Sequence, residues 1–173
     1  EQRGGQGLFT RELEEALLEG RADLAVHSAK DMSTQLPKGL AIAGYLPRED
    51  ARDMLVKKNT VKEIRRIGTD SPRRREQIRK RFPNVEFSSI RGNVKTRLEK
   101  VARGEFDATI LAVAGLKRLG LFEFEGLIFE PLSLDEMVPA GGQAAIALQC
   151  REEDKKLFSP LLDKESFLAV SEE

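Results

Sequence analysis

Two spacings of apolar residues alternate along this chain. Leu13, Leu17 and Leu18 share one helical face behind Thr10, a residue able to cap a helix start, and Gly20 supplies a stop. Short apolar runs at Leu24–His27 and Leu40–Leu46 read as strands on either side of the polar turn SAKDMS. Met54–Val56 starts another strand, and Ile64–Gly68 is a further short one. Pro72 suits the first position of a helix, where its missing N–H is no loss, with Asp70 or Ser71 as the cap. Ile78 and Phe82 form that helix's buried stripe, and Pro83 stops it. Val85–Ser88 is a strand, after which Arg91-Gly92-Asn93 turns into a helix carrying Val94, Leu98 and Val101 at i, i+4 and i+7. Gly104 ends it. The run ATILAVAGL at 108–116 reads as a buried central strand feeding a short helix through Ala114-Gly115, and Ile146–Cys150 is a last strand. Phe167, Leu168 and Val170 form a terminal apolar segment before Ser171-Glu172-Glu173, which has the composition of a new helix start.

Strands alternating with helices predict an α/β fold with mainly parallel sheets. The segments PREDARD (47–53) and VPAGGQAA (138–145) read as connectors, and they bracket about ninety residues, so one lobe is expected inside another. The two ends interrupt apparent elements, which points to a piece of a longer protein. No apolar run approaches the roughly 20 residues needed to span a bilayer, so no membrane partner is expected. Cys150 is the only cysteine and fits a reducing, cytoplasmic location; with His27 as the only histidine, no zinc site of these ligands is expected. Charge is balanced at 29 Lys+Arg against 29 Asp+Glu, so any anion chemistry must be local instead of spread over the surface.

Three stretches could carry such chemistry. GTDSPRRRE (68–76) piles bases onto a helix start whose dipole is already positive. Thr69, Ser71, Arg73 and Arg74 could together hold a carboxylate or phosphate there. A solvated basic helix face is the plainer alternative, and Asp70 opposes an anion unless its charge points away. The second stretch, Arg91-Gly92-Asn93 with Thr96 and Arg97, also follows a strand and opens a helix. It should therefore share the carboxyl edge of the sheet, where open α/β sheets bind ligands. A nucleic-acid backbone would satisfy the same arginines, but with one Tyr, no Trp and the Phe residues mostly in apolar stripes there is little aromatic surface for bases to stack on, and no nucleic-acid partner is expected. Third, HSAKD leaves the end of a strand. Lys30 and Asp31 are either a surface ion pair or a cleft-facing pair in which Asp31 stabilises a cation. His27 closes an apolar strand and reads as a satisfied core histidine. The glycine-rich turn GGQG (4–7) could bring backbone close to a ligand but lacks the rest of a nucleotide fingerprint.

The strings GGQGLFTRELE, ADLAVHSAKD, REDARD, GTDSPRRR, IRGNVKTRL, ILAVAGLKRLGL and VPAGGQAAIALQCR occur in one order over most of residues 4–151. In them the chain resembles the porphobilinogen deaminase (hydroxymethylbilane synthase) family. The resemblance implies two periplasmic-binding-protein-like α/β lobes with an interlobe cleft, plus a third α+β domain. Residues 1–46 and 140–160 would form the first lobe, 47–139 the second, and 161–173 the start of the third. It implies a transferase that joins four porphobilinogen molecules head to tail, through an electron-poor azafulvene formed as ammonia leaves. Asp31 matches the catalytic aspartate. Ser28, Lys30, Thr69, Ser71, Arg73, Arg74 and Arg91 match residues that hold the dipyrromethane cofactor. Arg11, Arg91, Gly92 and Arg97 match substrate-binding positions, although Arg11 stands where the family has a lysine. The family's cofactor is covalently attached to a cysteine expected beyond Glu173; Cys150 matches a first-lobe strand cysteine and not that anchor. The segment alone is therefore expected to be inactive, and the parent a monomeric enzyme of tetrapyrrole synthesis acting on porphobilinogen and oligopyrrole intermediates.

Departures from the family pattern are Gln6 for lysine, Ser33 for proline, Asp70 for serine, Pro72 for leucine and Ala144 for glycine. Gln6, Asp70 and Ala144 motivate an alternative, a two-lobed module that binds a polycarboxylate or other polyanion without catalysis.

Overall fold

Each connector delivers the chain into a sheet whose other strands run opposite to it. The computed structural model describes residues 6–173. In chain order the elements are helix α1 (Gln6–Leu18), strands β1 (Ala25–Ser28), β2 (Leu40–Tyr45), β3 (Asp53–Lys58) and β4 (Arg66–Gly68), and helix α2 (Pro72–Ile78). Then follow β5 (Glu86–Ser88), α3 (Val94–Ala102), β6 (Ala108–Ala112), α4 (Val113–Leu119), β7 (Leu127–Pro131), β8 (Ile146–Arg151) and α5 (Lys164–Ser171). Short 3-10 segments cover Ala29–Asp31 and Glu152–Leu161. These divide into two units, one made of the described residues through Glu49 with Gly141–Glu173, the other of Asp50–Ala140.

In the second unit the strand order is β5-β4-β6-β3-β7. β4 is parallel to β5 and β6, whereas β3 is antiparallel to β6 and β7, so four strands run one way and β3 alone runs against them. In the first unit β8 lies between β1 and β2 and is antiparallel to both. The sheets are thus mixed, which corrects the expectation of mainly parallel sheets. The reason is where the connectors end. Asp53 opens β3 opposite Ala112, the last residue of β6, and Ile146 opens β8 opposite Ser28, the last of β1. A strand that begins where its neighbours finish must run against them.

Burial follows the strand period of two. Leu55, Ala108 and Ile110 join Ile67, Ile78 and Met137 in one cluster, while Met54, Val56 and Leu111 join Leu98, Val113 and Leu116 in another. The sheet is therefore covered on one side by α2 and on the other by α3 and α4, which explains why MLV and ATIL are apolar throughout. In the first unit, Leu17 of α1 packs with Ala25 and Leu40, and Phe158 and Leu162 pack against Ala43, Leu148 and Cys150. Among the described residues no helix is long and apolar enough to cross a membrane.

Several boundaries differ from those read in the sequence. Thr10 lies inside α1, because no proline or cap residue interrupts the helix after Gln6. The strand β7 carries too short a pattern to stand out. Ser171 ends a helix instead of opening one; the true start is Asp163, which accepts from Ser166 N at 2.7 Å. Residues 161–173 pack onto the first unit, where Asp163 N donates to Tyr45 O at 2.8 Å and the Phe167 and Tyr45 rings meet at 6.1 Å.

Ala144 is the one described non-glycine residue with positive φ, at 73°, and it is buried. The left-handed region brings Cβ against the following carbonyl, at roughly 1–2 kcal/mol. Ala144→Gly should accordingly raise stability by roughly 1 kcal/mol, read as a higher denaturant midpoint at constant m. A midpoint that stays put or falls would show that this φ carries no strain.

Candidate functional site

The second unit's carboxyl edge is built from two adjacent strand-to-helix turns. Gly68 and Ser88 end β4 and β5 side by side, and Thr69 N donates to Ser88 O at 3.0 Å. Thr69 is buried, and its Oγ1 accepts from Ser71 N at 3.3 Å. Ser71, not Asp70, caps α2, accepting from Arg74 N, with Pro72 at the helix start. Asp70 is exposed, 3.9 Å from Arg75. Arg75 donates Nε and Nη2 to Thr69 O at 2.9 and 2.6 Å, satisfying a carbonyl that the helix leaves outside its own ladder.

Arg73 and Arg74 converge on Asp53. Arg73 Nη2 donates to Asp53 Oδ2 and Arg74 Nη2 to Oδ1, each at 2.7 Å. Their other Nη1 groups donate to Val138 O at 2.5 Å and Ile110 O at 2.8 Å. Asp53 is fully buried, Arg74 is 9% exposed, and Arg74 Nε is buried without a hydrogen-bond partner. Sequence reading missed Asp53 by counting it as the end of a charged connector. The available signal was the apolar run directly after it, which makes it the first residue of a strand.

From α3, Arg97 Nε donates to Gly92 O at 2.8 Å. Burial, and then the charge of Arg74, push the Arg97 guanidinium below its ordinary pKa, with Asp70 acting in the opposite sense. Asn93 caps α3, accepting from Thr96 N at 2.9 Å. Gly92 is needed for its backbone: φ is +115° and a Cβ there would meet Thr96 Cγ2 at 2.8 Å. Arg91 is exposed, and its carbonyl accepts from Lys100 Nζ at 3.1 Å. The structure therefore brings Thr69, Ser71, Arg73, Arg74, Gly92 and Arg97 to one edge, with guanidinium charge in excess of the buried carboxylate.

In the first unit, Ser28 ends β1 and opens the turn Ala29–Asp31. Lys30 and Asp31 are exposed. The turn is held through its backbone, by Ala29 N to Ala145 O at 3.0 Å and Met32 N to Ala29 O at 3.1 Å. Gly142, at φ +67°, packs so tightly on it that a Cβ would lie 2.9 Å from Ala29 Cβ. A cavity of about 440 Å³ opens here, lined by Lys30, Met32, Tyr45, Gly142 and Glu173 among others. Burial raises the Glu173 carboxyl's pKa, but Arg48 at 2.7 Å and Gly142 N–H at 2.7 Å outweigh it and hold the group below the ordinary range. Arg11 is exposed and pairs within its own helix with Glu15 at 3.0 Å. His27 Nε2 lies 2.8 Å from Gln149 Oε1, and buried Gln149 also donates to Glu14, so this histidine is tied into packing. Gly4 and Gly5 of the glycine-rich turn lie outside the described residues, and Gln6 enters α1.

Over residues 1–159 the chain matches the family model described as porphobilinogen deaminase, dipyromethane cofactor binding domain. The chain belongs to the porphobilinogen deaminase family. It is 49% identical over 152 residues to the porphobilinogen deaminase of Campylobacter hominis, covering 85% of this chain and 49% of that protein. With the porphobilinogen deaminase of Syntrophotalea carbinolica it shares 46% over 178 residues, 98% of this chain and 56% of that one. The chain thus spans about half the length of the curated relatives it matches. Among solved structures it is similar to an ABC transporter protein from Parabacteroides distasonis, with TM-score 0.56, 16% identity and coverage of 86% and 56%. A BvgS VFT2 domain of Bordetella pertussis gives TM-score 0.51 at 18% identity, with coverage of 94% and 72%. At such identities these likenesses show the fold alone, that of periplasmic-binding-protein-like α/β lobes, in keeping with the porphobilinogen deaminase fold.

Proposed function

We propose that this chain forms the ligand-binding part of a cytoplasmic, monomeric enzyme that condenses four porphobilinogen molecules into hydroxymethylbilane, releasing ammonia. The observation that carries the reading is the second unit's arginine cluster, whose cationic excess suits a ligand rich in carboxylates. Porphobilinogen bears an acetate and a propionate, so each added pyrrole brings two more anionic groups to bind.

The dipyrromethane named by the family model fits the same donor set, since its own side chains are carboxylates and Arg74 Nε–H is a buried donor still unpartnered. In the second unit, Arg73, Arg74 and Arg91 with the Thr69 and Ser71 hydroxyls would hold it; in the first unit, Ser28 and Lys30 are the cofactor-binding candidates. When bound it supplies the pyrrole α-carbon to which substrate is joined. Arg91, Arg97 and the Gly92 backbone of the second unit would bind substrate carboxylates, and Arg11 is the substrate-binding candidate of the first. As the substrate's aminomethyl C–N bond breaks and ammonia departs with a proton, positive charge grows on its ring. The Asp31 carboxylate accepts the pyrrole N–H and stabilises that charge before the new C–C bond forms and the α-proton leaves. Water completes the hydroxymethyl end of the product.

The test is turnover by the complete enzyme containing this chain. Four ammonia molecules should appear for each hydroxymethylbilane formed from porphobilinogen. A folded enzyme that retains a polycarboxylate but releases no ammonia would instead be a binding module.

A further inference from the structure

Buried ionic clusters are poor sources of stability, because desolvating each charge costs several kcal/mol and apolar packing of equal volume does as well. The Asp53 cluster therefore calls for a role beyond holding the fold. Asp53 stands at the first position of the reversed strand β3, at the edge where β6 ends. One carboxylate spans two adjacent guanidiniums that would otherwise repel each other, each oxygen taking one Nη2. With Val138 O and Ile110 O fixing the opposite Nη1 groups, both guanidinium planes are pinned at two points.

We propose that Asp53 is a positioning residue for ligand carboxylates: it fixes the Arg73 and Arg74 guanidinium planes and cancels one of their two charges. The guanidinium surface left over, chiefly that of Arg73 with its side chain 23% exposed, is thereby presented in one orientation with one net positive charge. The inference rests on the proposed condensation reaction, whose substrate supplies the carboxylates.

The test compares wild type, Asp53→Asn and Asp53→Glu in the complete enzyme, with rates expressed per folded molecule. Loss of alignment of about an ångström is worth up to about 10²-fold. Asp53→Asn should lower kcat about 10- to 100-fold, while KM for porphobilinogen is unchanged or falls and its salt dependence steepens, because a positive charge is released. Asp53→Glu restores the charge but not the position, so its salt dependence should return to that of wild type while kcat stays low. A melting temperature that falls while kcat, KM and salt dependence stay within twofold of wild type would leave Asp53 a structural residue and overturn the proposal. If Asp53→Asn does not fold, Arg73→Lys carries the test. It keeps the charge but cannot bridge Val138 O and Asp53, and an unchanged kcat would be equally damaging. Wild type without turnover would remove the proposed reaction instead. The inference would then be read from citrate binding, whose salt dependence Asp53→Asn should steepen and whose invariance would refute it.

Discussion

Asp31→Asn should slow the complete enzyme by about 10²- to 10³-fold in kcat, the scale of removing one preorganised electrostatic partner of a transition state. Its melting temperature should barely move. Asp31 is exposed, and the turn that carries it is held by backbone hydrogen bonds and by Gly142 against Ala29, none of which uses the Asp31 carboxylate. Surface substitutions of that kind shift stability by about 0.5 kcal/mol or less. The amide retains a carbonyl acceptor for a pyrrole N–H but loses the charge that answers the growing cation. KM should therefore change much less than kcat. Steady-state rates alongside thermal melts decide it, and turnover equal to wild type would take Asp31 out of the mechanism.

Replacing Arg74 attacks stability first. Arg74→Met keeps most of the aliphatic volume but removes the charge-assisted bonds to Asp53 and Ile110 O, leaving the buried carboxylate with Arg73. Breaking a buried pair from one side typically costs about 3–5 kcal/mol, and the surviving Arg73 contact places the expected loss near about 3 kcal/mol. The denaturant midpoint should fall accordingly. Adding Asp53→Asn to Arg74→Met should return part of the loss, since the partner left behind no longer carries charge. A loss under about 1 kcal/mol for Arg74→Met would mean that water or a rearranged side chain already satisfies Asp53, and that Asp53 is not the centre of the cluster.

Arg73 and Arg74 were legible in the sequence as anion-binding candidates, and the helix starts beneath the site were legible as local chemistry. Ser71 before Pro72, and Asn93 after Gly92, are caps because their side-chain oxygens reach N–H groups only two or three residues ahead. The i, i+4, i+7 stripe of Val94, Leu98 and Val101 is equally local. Asp163 is as local a signal as these, its side chain reaching Ser166 N three residues ahead, whereas Ser171, expected as a helix start, closes that helix.

By itself, then, the sequence determined most of the strands and helices, β7 and α5 excepted, and that two glycine- or charge-rich stretches interrupt them. Tertiary structure alone decided that β3 and β8 run against their neighbours, because pairing direction depends on where a strand enters a sheet and not on its own residues. It alone decided that Ala144 holds a positive φ. It also turned Asp53 from one more charge in a solvated-looking connector into a buried anion, since its partners, Arg73 and Arg74, lie twenty residues on and meet it only when β3 lies beside β6.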